Sequence, residues 1–131
     1  MPLGPGSKVV ALGVAMALVA GGVLLMLPGE ALPVTDFPGS DKLAHVGLFI
    51  LVGVETLLLY AWRRSAPLYA RHYAAAILIS AALGAVSEAA QSGIPGRSAD
   101  VTDLAADVLG GAMGGLTFRI VGSAQARRAP K

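Results

Sequence analysis

Residues 9–27 read VVALGVAMALVAGGVLLML, an unbroken run without a charge and without Asn or Gln. Wound as a helix at about 1.5 Å per residue, this run reaches about 28 Å, the thickness of a bilayer's hydrocarbon core. Its neighbours repeat the pattern less cleanly. Apolar segments follow at about residues 43–62, 73–92 and 104–121. The second holds His45 and Glu55, the third Glu88 and Gln91 near its end, and the fourth Asp107 near its start and Arg119 near its finish. A backbone in lipid must satisfy its own hydrogen bonds, so helices are the expected state of all four.

The composition of the whole chain agrees. Of 131 residues, 55% are hydrophobic and only 14% charged. A soluble domain of this size needs far more charge to cover its large surface relative to its volume. A soluble enzyme, a nucleic-acid binder and a disordered tail are therefore excluded. The net charge of +2 does not restore a nucleic-acid role, because the basic residues stand at the ends of apolar runs and not on one face. Without cysteine there is no disulfide, thiol chemistry or Cys-based metal site.

The connections carry the chemistry of breaks. Leu27-Pro28-Gly29, Pro33 and Pro38-Gly39 interrupt the chain after the first run, and Ser40-Asp41-Lys42 has the character of a helix cap. Arg63-Arg64-Ser65-Ala66-Pro67 ends the second run, and Ile94-Pro95-Gly96-Arg97 suits a type II turn. The expected organisation is an N-terminal tail or expression remnant at 1–8, a membrane domain at 9–122 and a basic tail at 123–131. Lys8 precedes the first span, the next connection is acidic (Glu30, Asp36, Asp41), the following one basic (Arg63, Arg64, Arg71), the third mixed, and the tail basic again. By the positive-inside rule this alternation predicts an all-α, four-helix membrane bundle with both termini cytoplasmic. A cleaved signal peptide is the rival for the first run, disfavoured by its long core and the lack of a small-x-small site after it.

On that topology the polar residues sort by depth. His45 opens the second helix, Glu88 and Gln91 close the third, Asp103 and Asp107 open the fourth, and Arg97 and Asp100 lie in the loop between the last two. All fall near the outer face. Asp41 and His45, like Asp103 and Asp107, share a helix face at i, i+4, and Glu88 and Gln91 do so at i, i+3. Each charge inside a bilayer costs roughly 2.5–3.5 kcal/mol even on lenient scales, so a cluster at one depth points to a shared cavity. Each residue also has a structural reading: Asp41 and Asp103 as caps or first-turn carboxylates, His45 at headgroup level, Arg97 as a headgroup anchor, Glu88 as its ion-pair partner. Arg97 is expected to bridge at least one of Glu88, Asp100, Asp103 and Asp107. Glu55 lies about 15 Å deeper than His45 and is expected to pair with Arg119.

Asp41-Lys42-Leu43-Ala44-His45, Glu88-Ala89-Ala90-Gln91, Pro95-Gly96-Arg97 and Asp103 before a Gly-rich helix, in that order, resemble the VanZ-like family. The resemblance covers about residues 41–116. One position departs: Asp107 stands where many members carry Asn. The resemblance implies a small multi-span protein of the bacterial cytoplasmic membrane, from a family named for teicoplanin resistance, with no settled reaction.

Small residues form the last signal. Ala106, Gly110 and Gly114 repeat at i, i+4, Gly111 and Gly115 follow one residue later, and Gly13, Ala17 and Gly21 make a similar row. Such rows let helices approach closely, within the chain or, through Gly110, Gly111, Gly114 and Gly115, in a homodimer.

Three functions are consistent with these residues. In the first, Asp41, Lys42, His45, Glu88, Gln91, Arg97, Asp103 and Asp107 bind an envelope component, a lipid headgroup or a glycopeptide-type antibiotic. In the second, a membrane-embedded enzyme acts on a lipid-linked envelope substrate with Glu88 or His45 as acid/base. A small transporter or channel ranks third, because no polar stripe crosses the bilayer. The expected partners are membrane lipids and, in either of the first two cases, that ligand. No cofactor is expected. One His among carboxylates could take Mg²⁺, Mn²⁺ or Ca²⁺, but no tight ligand spacing marks a metal site. Phosphate loops, nucleophile elbows and HExxH motifs are absent.

Overall fold

The computed structural model describes residues 5–26, 38–63 and 68–128. Among these the chain forms four helices and no strand: α1 (Pro5–Leu25), α2 (Ser40–Arg63), α3 (Ala70–Gln91) and α4 (Val101–Arg128). By length and composition, Ser40–Arg63, Ala70–Gln91 and Val101–Ser123 are long and apolar enough to cross a membrane. Among the described residues of α1, an apolar stretch runs over Ala11–Val23. The breaks expected at 27–37 and 64–67 lie outside the described residues, as does the end of the basic tail at 129–131. The rest of that tail, up to Arg128, continues α4.

Burial is inverted relative to a water-soluble protein. Among the described residues, the buried set includes His45, His72, Ser80, Glu88, Gln91, Asp103 and Asp107, while Leu78, Val86, Leu109, Leu116 and Ile120 are exposed. Water would penalise both choices; lipid favours both, since apolar side chains are free to face it and polar ones must find one another. This inversion, with the spans, makes the chain an integral membrane protein.

The core is a pair of parallel helices with an antiparallel third. α4 packs most extensively on α2, then on α3, and α1 lies on α2. Close approach rests on glycine. A Cβ on Gly110 would stand 2.6 Å from Val46 O, and one on Gly53 would stand 2.6 Å from Gly111 O, so side chains at these positions would push α2 and α4 apart. Gly114 meets Ile50 O in the same way, whereas Gly111 takes up Ser80 and Gly115 faces Tyr73 and Leu57. The four glycines weighed above as a dimer stripe are thus buried between helices of one chain. In α1, Gly21 approaches Leu48, while Gly13 has open space around it.

α3 shows its buried side as a row: His72, Ala76, Ser80, Gly84, Glu88, then Gln91. The i, i+4 interval keeps these on one face, and that face is small or polar because it packs against α4. The α3–α4 connection contains the expected type II turn. Gly96 has φ +79° and Arg97 N–H donates to Ile94 O at 3.0 Å, with Pro95 and Gly96 in the two central positions. This tight turn returns the chain antiparallel to α3 and places the acids of α4 beside those of α3.

Candidate functional site

Two rungs connect α2 to α4 at the end where both helices begin. In the first, Lys42 Nζ donates to Asp103 Oδ1 at 2.9 Å and to Asp100 Oδ2 at 3.1 Å. In the second, one turn further in, His45 Nδ1 lies 2.7 Å from Asp107 Oδ1. The steps from 42 to 45 and from 103 to 107 are each close to one helical turn, so parallel helices bring both pairs into register. Asp41 is exposed and reaches Lys42 at 3.2 Å from the rim.

Asp100 joins three helices. Its Oδ1 accepts the Thr102 N–H at 2.8 Å and caps α4; its Oδ2 holds Lys42 of α2; its own N–H donates to Glu88 Oε2 of α3 at 2.7 Å. The Thr102 hydrogen bonds, and after them Lys42, hold the Asp100 carboxyl down at about 2, so it is ionised at any physiological pH. Capping α4 therefore falls to Asp100, and Asp103 in the first turn is left to bind Lys42. The sequence marked Asp100 as a loop residue among the acids within reach of Arg97, and not as a cap. An Asp immediately ahead of an apolar helix is the local signal for the cap.

Beneath this layer, His45, Glu88 and Asp107 converge, with relative exposures of 1%, 6% and 0%. One ligand-competent atom from each lies within 4.8 Å of the others. Gly84 makes room for the Asp107 carboxylate: a Cβ there would stand 2.5 Å from Oδ2. Several buried polar atoms remain without a hydrogen-bond partner, namely Glu88 Oε1, Gln91 Nε2 and Asp107 Oδ2, together with Ser80 Oγ further along α3. Buried polar groups are ordinarily satisfied, so these atoms keep unused hydrogen-bonding or ligating capacity.

Of the residues named from sequence, Lys42, His45, Glu88, Asp103 and Asp107 are thus brought into one region at the loop end, and Gln91 is buried on the same face of α3 as Glu88. Arg97 is half-buried in the turn above. The cation placed across Asp100 and Asp103 is Lys42. Ser80 and Gly84 were not singled out, although their spacing from Glu88 on the α3 row would have shown them.

Glu55 departs from expectation. It does not pair with Arg119, whose side chain is exposed on α4. Instead Glu55 lines a largely apolar cavity of about 340 Å³ with Leu18 and Gly22 of α1, Leu48 of α2 and Leu83 of α3, and its Oε2 has no partner. Glu55 and Arg119 stand at similar depth, but on helix faces that do not meet.

The fold and the cluster define a class: a small helical membrane protein whose buried polar groups gather where three helices meet a tight loop. The family model described as VanZ/LLP1 matches residues 9–122, and the chain belongs to that family. No curated protein and no solved structure matches it.

Proposed function

We propose that the protein is a multi-pass component of a bacterial cytoplasmic membrane, with four spanning helices and both termini in the cytoplasm, that binds the polar end of an envelope component at the loop end of the bundle. The supporting observation is the set of orphaned buried acceptors, Glu88 Oε1 and Asp107 Oδ2, beneath the Lys42–Asp100–Asp103 layer. Unmatched carboxylate oxygens call for a donor, such as the hydroxyl or ammonium of a lipid headgroup or of a lipid-linked or glycopeptide molecule. The Lys/Arg alternation supports an outward-facing site. The test is native mass spectrometry of the chain released from nanodiscs of phosphatidylethanolamine and phosphatidylglycerol. Retained lipid that is lost in Glu88→Gln supports the proposal, and retention indifferent to that change opposes it. A parallel arm expresses the chain in a teicoplanin-sensitive bacterial host, where tolerance should rise with the wild type and not with Glu88→Gln.

A catalytic reading has one observation in its favour. His45 Nδ1 lies 2.7 Å from Asp107 Oδ1, and a neutral His45 donating from Nδ1 would carry its lone pair on Nε2, the arrangement of an oriented general base. Turnover of a lipid-linked substrate would then require both His45 and Asp107.

A further inference from the structure

We infer that His45, Glu88 and Asp107 form a binding site for one divalent metal cation of the Mn²⁺ or Zn²⁺ kind. The inference deepens the proposed binding role by naming what satisfies the carboxylates, and it rests on that assignment of the cluster as a site.

Three independent features converge. The first is the donor set: one imidazole nitrogen and two carboxylate oxygens from three different helices, all within 4.8 Å of one another. Ligands about 2.0–2.2 Å from a common centre stand about 3–4 Å apart, so small side-chain adjustments close the set. The second is unmet bonding capacity. Glu88 uses Oε2 on the Asp100 N–H and Asp107 uses Oδ1 on His45, yet Glu88 Oε1 and Asp107 Oδ2 have no partner, and both residues are more than nine-tenths buried. The third is charge. Two carboxyl groups and an imidazole share one low-dielectric interior, where a divalent cation would supply the charge opposite to that of ionised carboxylates.

The surroundings fit a metal better than a proton alone. Asp100 N–H orients Glu88 from behind, as hydrogen-bonded outer groups do for ligating carboxylates. Gly84 leaves the space that Asp107 Oδ2 occupies. Protein supplies three ligands, leaving positions for water or for an oxygen of a headgroup, so a cation here would connect the buried acids to the proposed ligand. Imidazole with two carboxylates is a mixed set, which favours Mn²⁺ or Zn²⁺ over an all-oxygen Ca²⁺ site.

The test uses the full chain in detergent micelles, stripped with EDTA and titrated with MnCl₂ or ZnCl₂ by calorimetry and thermal unfolding. One equivalent should bind and raise the unfolding midpoint. The near-isosteric changes Asp107→Asn and Glu88→Gln should each weaken binding by more than about tenfold, while Glu55→Gln should bind as the wild type does. Absence of saturable binding, or binding at wild-type strength in Asp107→Asn, overturns the inference. Should a variant fail to fold, the spin-echo spectrum of Mn²⁺ on the His72→Phe chain decides. His45 is then the sole histidine: nitrogen modulation supports the site, and its absence overturns it. Retained lipid in EDTA with no metal bound would remove the cation and leave the headgroup proposal standing.

Discussion

The backbone N–H of Asp100, one residue ahead of α4, donates to Glu88 Oε2, three residues from the end of α3, at 2.7 Å. This bond locks the α3–α4 connection over the polar cluster and leaves the other oxygen of Glu88 directed to the buried side. Glu88→Gln retains an acceptor for Asp100, whereas Glu88→Ala strands the N–H. Thermal unfolding in micelles should therefore show Glu88→Gln near wild type and Glu88→Ala destabilised by about 1–3 kcal/mol.

Lys42 holds Asp103 and Asp100 together across α2 and α4. Lys42→Met should destabilise the chain, because Asp103, with its side chain only 11% exposed, keeps a charge with its Lys42 contact gone. The double variant Lys42→Met/Asp103→Asn should recover part of that loss. Additive losses in the double-mutant cycle would show that the pair is not coupled.

Glycine substitutions should differ in sign along the chain. Gly114→Ala forces a Cβ onto Ile50 O and should cost about 1–3 kcal/mol, the usual penalty of overpacking. Gly13→Ala meets nothing within 4 Å on α1 and should be neutral or stabilising by up to about 1 kcal/mol. Unfolding midpoints of the two variants, measured side by side, check both.

Glu55 has an unpartnered oxygen in an apolar cavity. Replacing the acid by an amide removes any cost of burying its ionised form, so Glu55→Gln should be as stable as the wild type or more so, and Arg119→Ala should be neutral. Loss of stability in both, with strong coupling between them, would restore the ion pair that the sequence suggested.

The proposed topology is open to single-cysteine labelling, since the chain has no cysteine of its own. Ser98→Cys in the α3–α4 loop should react with an impermeant maleimide on intact cells, and Ser123→Cys should react only after permeabilisation. The reverse pattern would turn the cluster toward the cytoplasm.

The sequence by itself determined the four helices and the turn between the last two. Apolar length specifies helices in lipid, and Pro95-Gly96 encodes its turn through local backbone preference alone. It also placed His45, Glu88, Asp103 and Asp107 near one another, because each stands near a helix end on one side of the bundle. Tertiary structure decided the pairings. That Lys42 meets Asp103 depends on how α2 rotates against α4, and that rotation is set by Gly110 and Gly114 seating on the α2 backbone. The same rotation turned Glu55 toward α1 and away from Arg119, two residues that helix arithmetic had put at matching depth. Rise along an axis follows from residue number; the azimuth at which two helices touch follows from which small residues let them close, and that is settled only when all the helices are packed.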